Sequence, residues 1–95
     1  MNFNSIIYSS HAVQRMFERS ISVDEVEGII NDWYVIKSYP EDKPFPSVLI
    51  LGKSKNKPIH VIAGTDNDQK VCHVITVYQP DPESWSEDFT ERRSI

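Results

Sequence analysis

After Trp33 the apolar period of the chain changes from 3.6 residues to 2, and it does not change back. Before that point two segments carry apolar residues at helical spacing. The first has Ala12, Val13, Met16 and Phe17, and the second Val23, Val26, Ile29 and Ile30. Ser10 is placed to cap the first helix. Ser22 opens "SVDE", a capping box in which hydroxyl and carboxylate each satisfy an orphan amide at the head of the second. Beyond Trp33, "YVIKSY", "SVLILGK", "IHVIAGT" and "KVCHVITVY" read as strands. "PEDKPFP" between the first two is a loop, because three prolines remove three amide donors. "SKNK" and "DNDQ" are polar turns. Connections this short imply an antiparallel meander. The expected fold is α+β, with two N-terminal helices covering one face of a four-stranded antiparallel sheet.

Ninety-five residues make a single domain, expected as an ααββββ unit over 1–80 and a tail over 81–95. The net charge of −4 is unevenly spread. Residues 1–80 hold eight Lys and Arg against nine acids, whereas 81–95 hold five acids and two arginines. Global acidity argues against nucleic-acid binding, since such binders present a basic face; a nearly neutral domain with an acidic appendage weakens that objection without removing it. Cys72 has no second cysteine to pair with and sits in an apolar run, as a small buried side chain would. "SIIYSS" is too short for a signal-peptide core, and no run approaches a membrane span. A cytoplasmic location is expected, with no membrane partner.

Parity sorts the last two strands. Odd positions Ile59, Val61, Ala63, Val71, His73, Ile75 and Val77 form a set that is apolar except for His73, suited to lie under the helices. Even positions carry His60, Cys72, Thr76 and Tyr78. A hairpin register with an even index sum then gathers His60, Thr76 and Tyr78 on the face away from the core, and a slip of one residue scatters them.

Within "SSHAVQRMFERSIS", His11, Arg15 and Arg19 stand at i, i+4 and i+8, on one stripe of the first helix. A bland reading exists for each of these residues. The arginines can pair with Glu18, Asp24 or Glu25, His60 can be a hydrogen-bonded core histidine, and Tyr78 can simply pack. Together they form a kit for metal-independent RNA cleavage: a base for the 2′-hydroxyl, an acid for the leaving oxygen and fixed cations for the transition-state phosphate. Imidazole titrates near neutrality, and guanidinium grips phosphate in a bidentate fork. The three histidines and one cysteine show no metal-ligand spacing, and no glycine-rich phosphate loop is present. No cofactor is expected.

Three stretches in order resemble one family. "SSHAVQRMFERSIS" is similar to the S-x-H-A-x-x-R-M-x-x-R-x-I-S opening of the domain-of-unknown-function 4258 family. "KPIHVIAG" resembles its middle motif, and "VITVYQPDPESW" its T-V-Y-x-P-D-x-x-x-W close. The family is similar in size and element order to compact RelE/BrnT-like toxins of toxin–antitoxin modules. The resemblance therefore implies a RelE-like sheet and a toxin-type endoribonuclease. Its partners would be an RNA substrate, such as mRNA, and a cognate antitoxin protein, with a homodimer left open. The positions that match the pattern are His11, Arg15, Arg19, His60, Thr76, Tyr78 and Trp85. Under this reading His60 or His11 is the general base and Tyr78 the acid. Arg15 and Arg19 hold phosphate, Thr76 orients, and Trp85 packs or stacks. The alternatives are a non-enzymatic binding or regulatory module, or an inactive toxin kept for partner binding.

Overall fold

A computed structural model of the protein describes residues 2–94. The chain runs β1 (Ser5–Tyr8), α1 (Ser10–Glu18), α2 (Val23–Asp32), β2 (Val35–Tyr39), β3 (Ser47–Ser54), β4 (Lys57–Asp66) and β5 (Val71–Tyr78). The strands form one sheet in the order β1-β5-β4-β3-β2, with β1 parallel to β5 and the other neighbours antiparallel. The expected RelE-like, four-stranded antiparallel sheet is thus corrected to a five-stranded mixed sheet, still α+β. The physical reason lies in β1. It has four residues, too few to display alternation, and its partner β5 lies at the far end of the fold. No local turn signals a parallel pair of this kind.

The helices form where their caps allow. Ser22 closes the capping box with Glu25, and α2 ends on Trp33 in the left-handed region. The cap of α1 is Ser9 rather than Ser10: its hydroxyl accepts from the Ala12 amide at 2.9 Å and donates to the Ile75 carbonyl at 2.8 Å. That carbonyl belongs to a β-bulge. Ile62 pairs with Thr76 but Ala63 pairs with Val74, so Ile75 is the extra residue.

The bulge overturns half of the parity assignment. Val61 and Val77 are buried under the helices as expected, but beyond the bulge the buried residues are Val74 and Cys72. Ile75 is 44% exposed rather than buried. His73 leaves the expected core face and stacks on Phe45, ring centroids 4.9 Å apart and 12° from parallel. On α1 only Ala12 and Met16 are buried; Val13 and Phe17, expected inside, are 53% and 84% exposed. On α2, Val26, Ile29 and Ile30 are buried, whereas Val23 is half exposed.

Helix α2 lies close over β3. A Cβ built on Gly52 would stand 2.4 Å from the Ile29 side chain, closer than atoms can pack. Gly52→Ala is expected to destabilise the fold by about 1–3 kcal/mol, the usual cost of overpacking, measured by urea denaturation. An unchanged midpoint would mean that α2 shifts freely over the sheet.

Candidate functional site: a histidine sealed beneath the C-terminal segment

On the sheet face away from the helices, His60 is paired with Tyr78 across β4 and β5, and Ile62 with Thr76. This is the register expected from sequence, and it places His60, Thr76 and Tyr78 on one face. His60 is fully buried. Its Nε2 lies 2.9 Å from the Phe89 carbonyl, which can only accept, so Nε2 carries the proton. Nδ1, 3.1 Å from the Tyr78 hydroxyl, then accepts from it in the neutral ring. Burial lowers the His60 pKa; the bond to the Phe89 carbonyl opposes this and is the smaller effect. Burial likewise raises Tyr78, with Tyr39 adding to it and Arg92 opposing.

The cover over this pair is the segment that follows β5. Trp85 meets the His60 ring edge to face, at 4.4 Å and 86°, and is itself buried. Arg92 lies over the Trp85 ring at 5.6 Å, and the two residues form a β-bridge. Glu87, Asp88 and Glu91 of the same segment are exposed. Ser86 and Thr90 donate to the Asp88 carboxylate and lower its pKa, which shapes the turn that delivers the Phe89 carbonyl.

The cationic stripe lies elsewhere. His11 and Arg15 on α1 and Arg19 at its C-cap are exposed, and Arg15 makes a long 3.6 Å contact with Glu18. Arg19 lines a recess with Lys55 of the β3–β4 turn and Lys57 at the start of β4. Ala12 and Met16 of the same helix pack on the opposite sheet face from His60 and Tyr78, so the sheet stands between the two groups. The structure gathers His60, Tyr78, Thr76 and Trp85, and it keeps His11, Arg15 and Arg19 apart from them. Among the described residues, no group of three or more His, Cys, Asp or Glu side chains is placed to hold a metal ion. Among the described residues no helix is long and apolar enough to cross a membrane.

A family model, the domain of unknown function DUF4258, matches residues 8–79. The chain belongs to this family. The match spans His11, the arginines, His60 and Tyr78, and it stops before the covering segment that contains Trp85. No curated protein and no solved structure matches the chain.

Two features of the site had no forewarning in the residue pattern. One is the Phe89 carbonyl, a backbone atom without a sequence signature. The other is an acidic groove between α2 and the C-terminal segment, marked in the sequence by a glycine at position 28, in the middle of α2.

Proposed function

We propose that this DUF4258 domain acts by binding a partner, as a non-enzymatic regulatory module, rather than by cleaving RNA. The observation that carries this reading is the closure of His60. A general base must reach the proton it abstracts, directly or through one water. Both ring nitrogens of His60 are already committed, to Phe89 and Tyr78, and Trp85 covers the ring. The arginines that would hold a scissile phosphate lie across the sheet. The imidazole therefore serves as a hinge pin that ties the C-terminal segment to the sheet.

A second reading, a toxin-type, metal-independent endoribonuclease paired with an antitoxin, draws support from one specific observation. His60 and Tyr78 form a hydrogen-bonded acid–base pair on neighbouring strands, and lifting the segment over 81–94 would bare it. Incubation of the full chain with a defined RNA across salt and pH separates the two readings. The binding-module reading expects the RNA to stay intact. Cleavage to 2′,3′-cyclic phosphate ends, surviving EDTA and reduced about a hundredfold or more by His60→Ala, would install the nuclease reading instead. Arg15→Ala belongs in the same assay. It sits on an exposed helix face and is expected to change stability by less than about 0.5 kcal/mol.

A further inference from the structure

A groove of about 900 Å³ lies apart from the His60–Tyr78 pair and from the cationic stripe. It is walled by α2, by the β3–β4 hairpin and by the C-terminal segment. Its floor is apolar: Ile29, Leu51, Pro58 and Phe89, with Tyr34 at one end. Carboxylates stand along both rims, Asp24 and Asp32 on α2, Glu87 and Asp88 on the segment opposite. Among the described residues Lys53 is the one cation lining it. Glu25 also faces the groove, and it and Asp88 are already hydrogen-bonded: Glu25 accepts from the Ser22 amide and the Ser54 hydroxyl, and Asp88 from the Ser86 and Thr90 hydroxyls. Among the described residues none of these four rim carboxylates is in an ion pair.

Gly28 gives the helical wall its shape. It sits inside α2 without a left-handed φ, so the backbone does not require glycine there. A Cβ at this position would meet nothing within 4 Å, so packing does not require glycine either. Glycine in a helix interior is unfavourable. Its effect here is to leave the groove wall bare, so that another backbone can approach α2 closely.

From this geometry we infer that the groove docks a basic, amphipathic peptide segment of a partner protein, with an apolar residue on the Leu51–Phe89 floor and flanking Lys or Arg on the two acidic rims. Charge decides the class of occupant. Two rows of carboxylates repel a nucleic-acid backbone and a second copy of the same acidic rim, and they attract cationic side chains on either side of an apolar anchor. The inference rests on the binding-module reading and names the chemistry of its partner.

The test uses the full chain and a fluorescein-labelled ten-residue peptide of alternating Lys and Leu, read by anisotropy. The peptide is expected to bind, and an all-Lys peptide of equal length to bind at least about tenfold more weakly, because the floor contributes. Glu87→Lys is expected to weaken binding about tenfold, while Glu41→Lys, the same change of charge outside the groove, weakens it only slightly. Gly28→Leu should block the wall without loss of helix by circular dichroism, and should lower affinity by a similar factor. The proposal is overturned if the Lys–Leu peptide does not bind. Equal weakening by Glu41→Lys, which would reveal only the field of the net charge, also overturns it, as does full affinity in Gly28→Leu. These outcomes are separable from the RNA assay. Intact RNA with no peptide binding removes the groove and leaves the binding module standing, whereas RNA cleavage removes the binding-module reading whatever the peptide does.

Discussion

Trp85→Ala is expected to lower the free energy of unfolding by about 3–5 kcal/mol, the range for deleting a buried large aromatic side chain. Trp85 is the main apolar anchor of the segment that follows β5, buried against the His60 ring on one side and covered by Arg92 on the other. Around it the segment is polar, held by Asp and Ser turns and by the one bond from His60 to the Phe89 carbonyl. Deleting the indole leaves a void beside a buried imidazole and removes the platform for Arg92. In a domain this small the loss corresponds to a fall in Tm of more than about 10 °C. The segment should then detach before the sheet melts, so limited proteolysis of Trp85→Ala should trim the chain after Tyr78 while the wild type resists. An unchanged melting curve would mean that the cover is an ornament on an independently stable domain, and His60 would be accessible after all.

The outcome bears on how far the sequence was legible. Local chemistry was readable: the Ser22–Glu25 capping box, the β3–β4 turn at Lys55 and Asn56, and the pairing of His60 with Tyr78 all follow from residues close in the chain or from strict alternation. Alternation failed at Ile75, where one inserted residue turned His73 outward and Cys72 inward. A bulge leaves no compositional trace when every neighbour is apolar, and "VCHVIT" can be threaded in either phase. The parallel strand β1 was hidden because its four residues pair with the last strand of the fold. Helix periodicity overreached in the same way. It marked Val13 and Phe17 as apolar, but only an element packed on that flank could bury them, and among the described residues α1 has none there. The candidate site divided along the same line. Which residues share a strand face could be read from spacing. That the α1 stripe ends across the sheet from His60, and that the tail anchored by Trp85 closes over that histidine, are decided by tertiary packing.

The buried histidine makes stability depend on pH in a way that tests its role directly. Its pKa in the folded protein lies below the ordinary value of 6.5 because burial disfavours the imidazolium. Above that ordinary value the ring is neutral in both folded and unfolded chains, and the full stability is present. As the pH falls below 6.5 the unfolded chain takes up a proton that the folded chain refuses, so stability declines. The slope approaches about 1.4 kcal/mol per pH unit, until the folded ring itself titrates and the loss levels off. Glu25 and Asp88 also contribute acid-labile stability, because hydrogen bonds from Ser54 and from Ser86 hold their carboxylates below the usual range. Their contribution is lost at lower pH as they protonate, and it is common to the wild type and any variant at position 60. His60→Gln isolates the histidine: its amide can donate to the Phe89 carbonyl and accept from the Tyr78 hydroxyl, but it does not titrate. Urea midpoints measured for both proteins from about pH 8 to about pH 5 should run parallel above neutrality. Below it they should diverge, with the wild type losing stability faster. Curves that stay parallel throughout would mean that His60 takes up its proton in the folded state as readily as in the unfolded one. The cover would then be open to water, and the closure on which the binding-module reading rests would be gone.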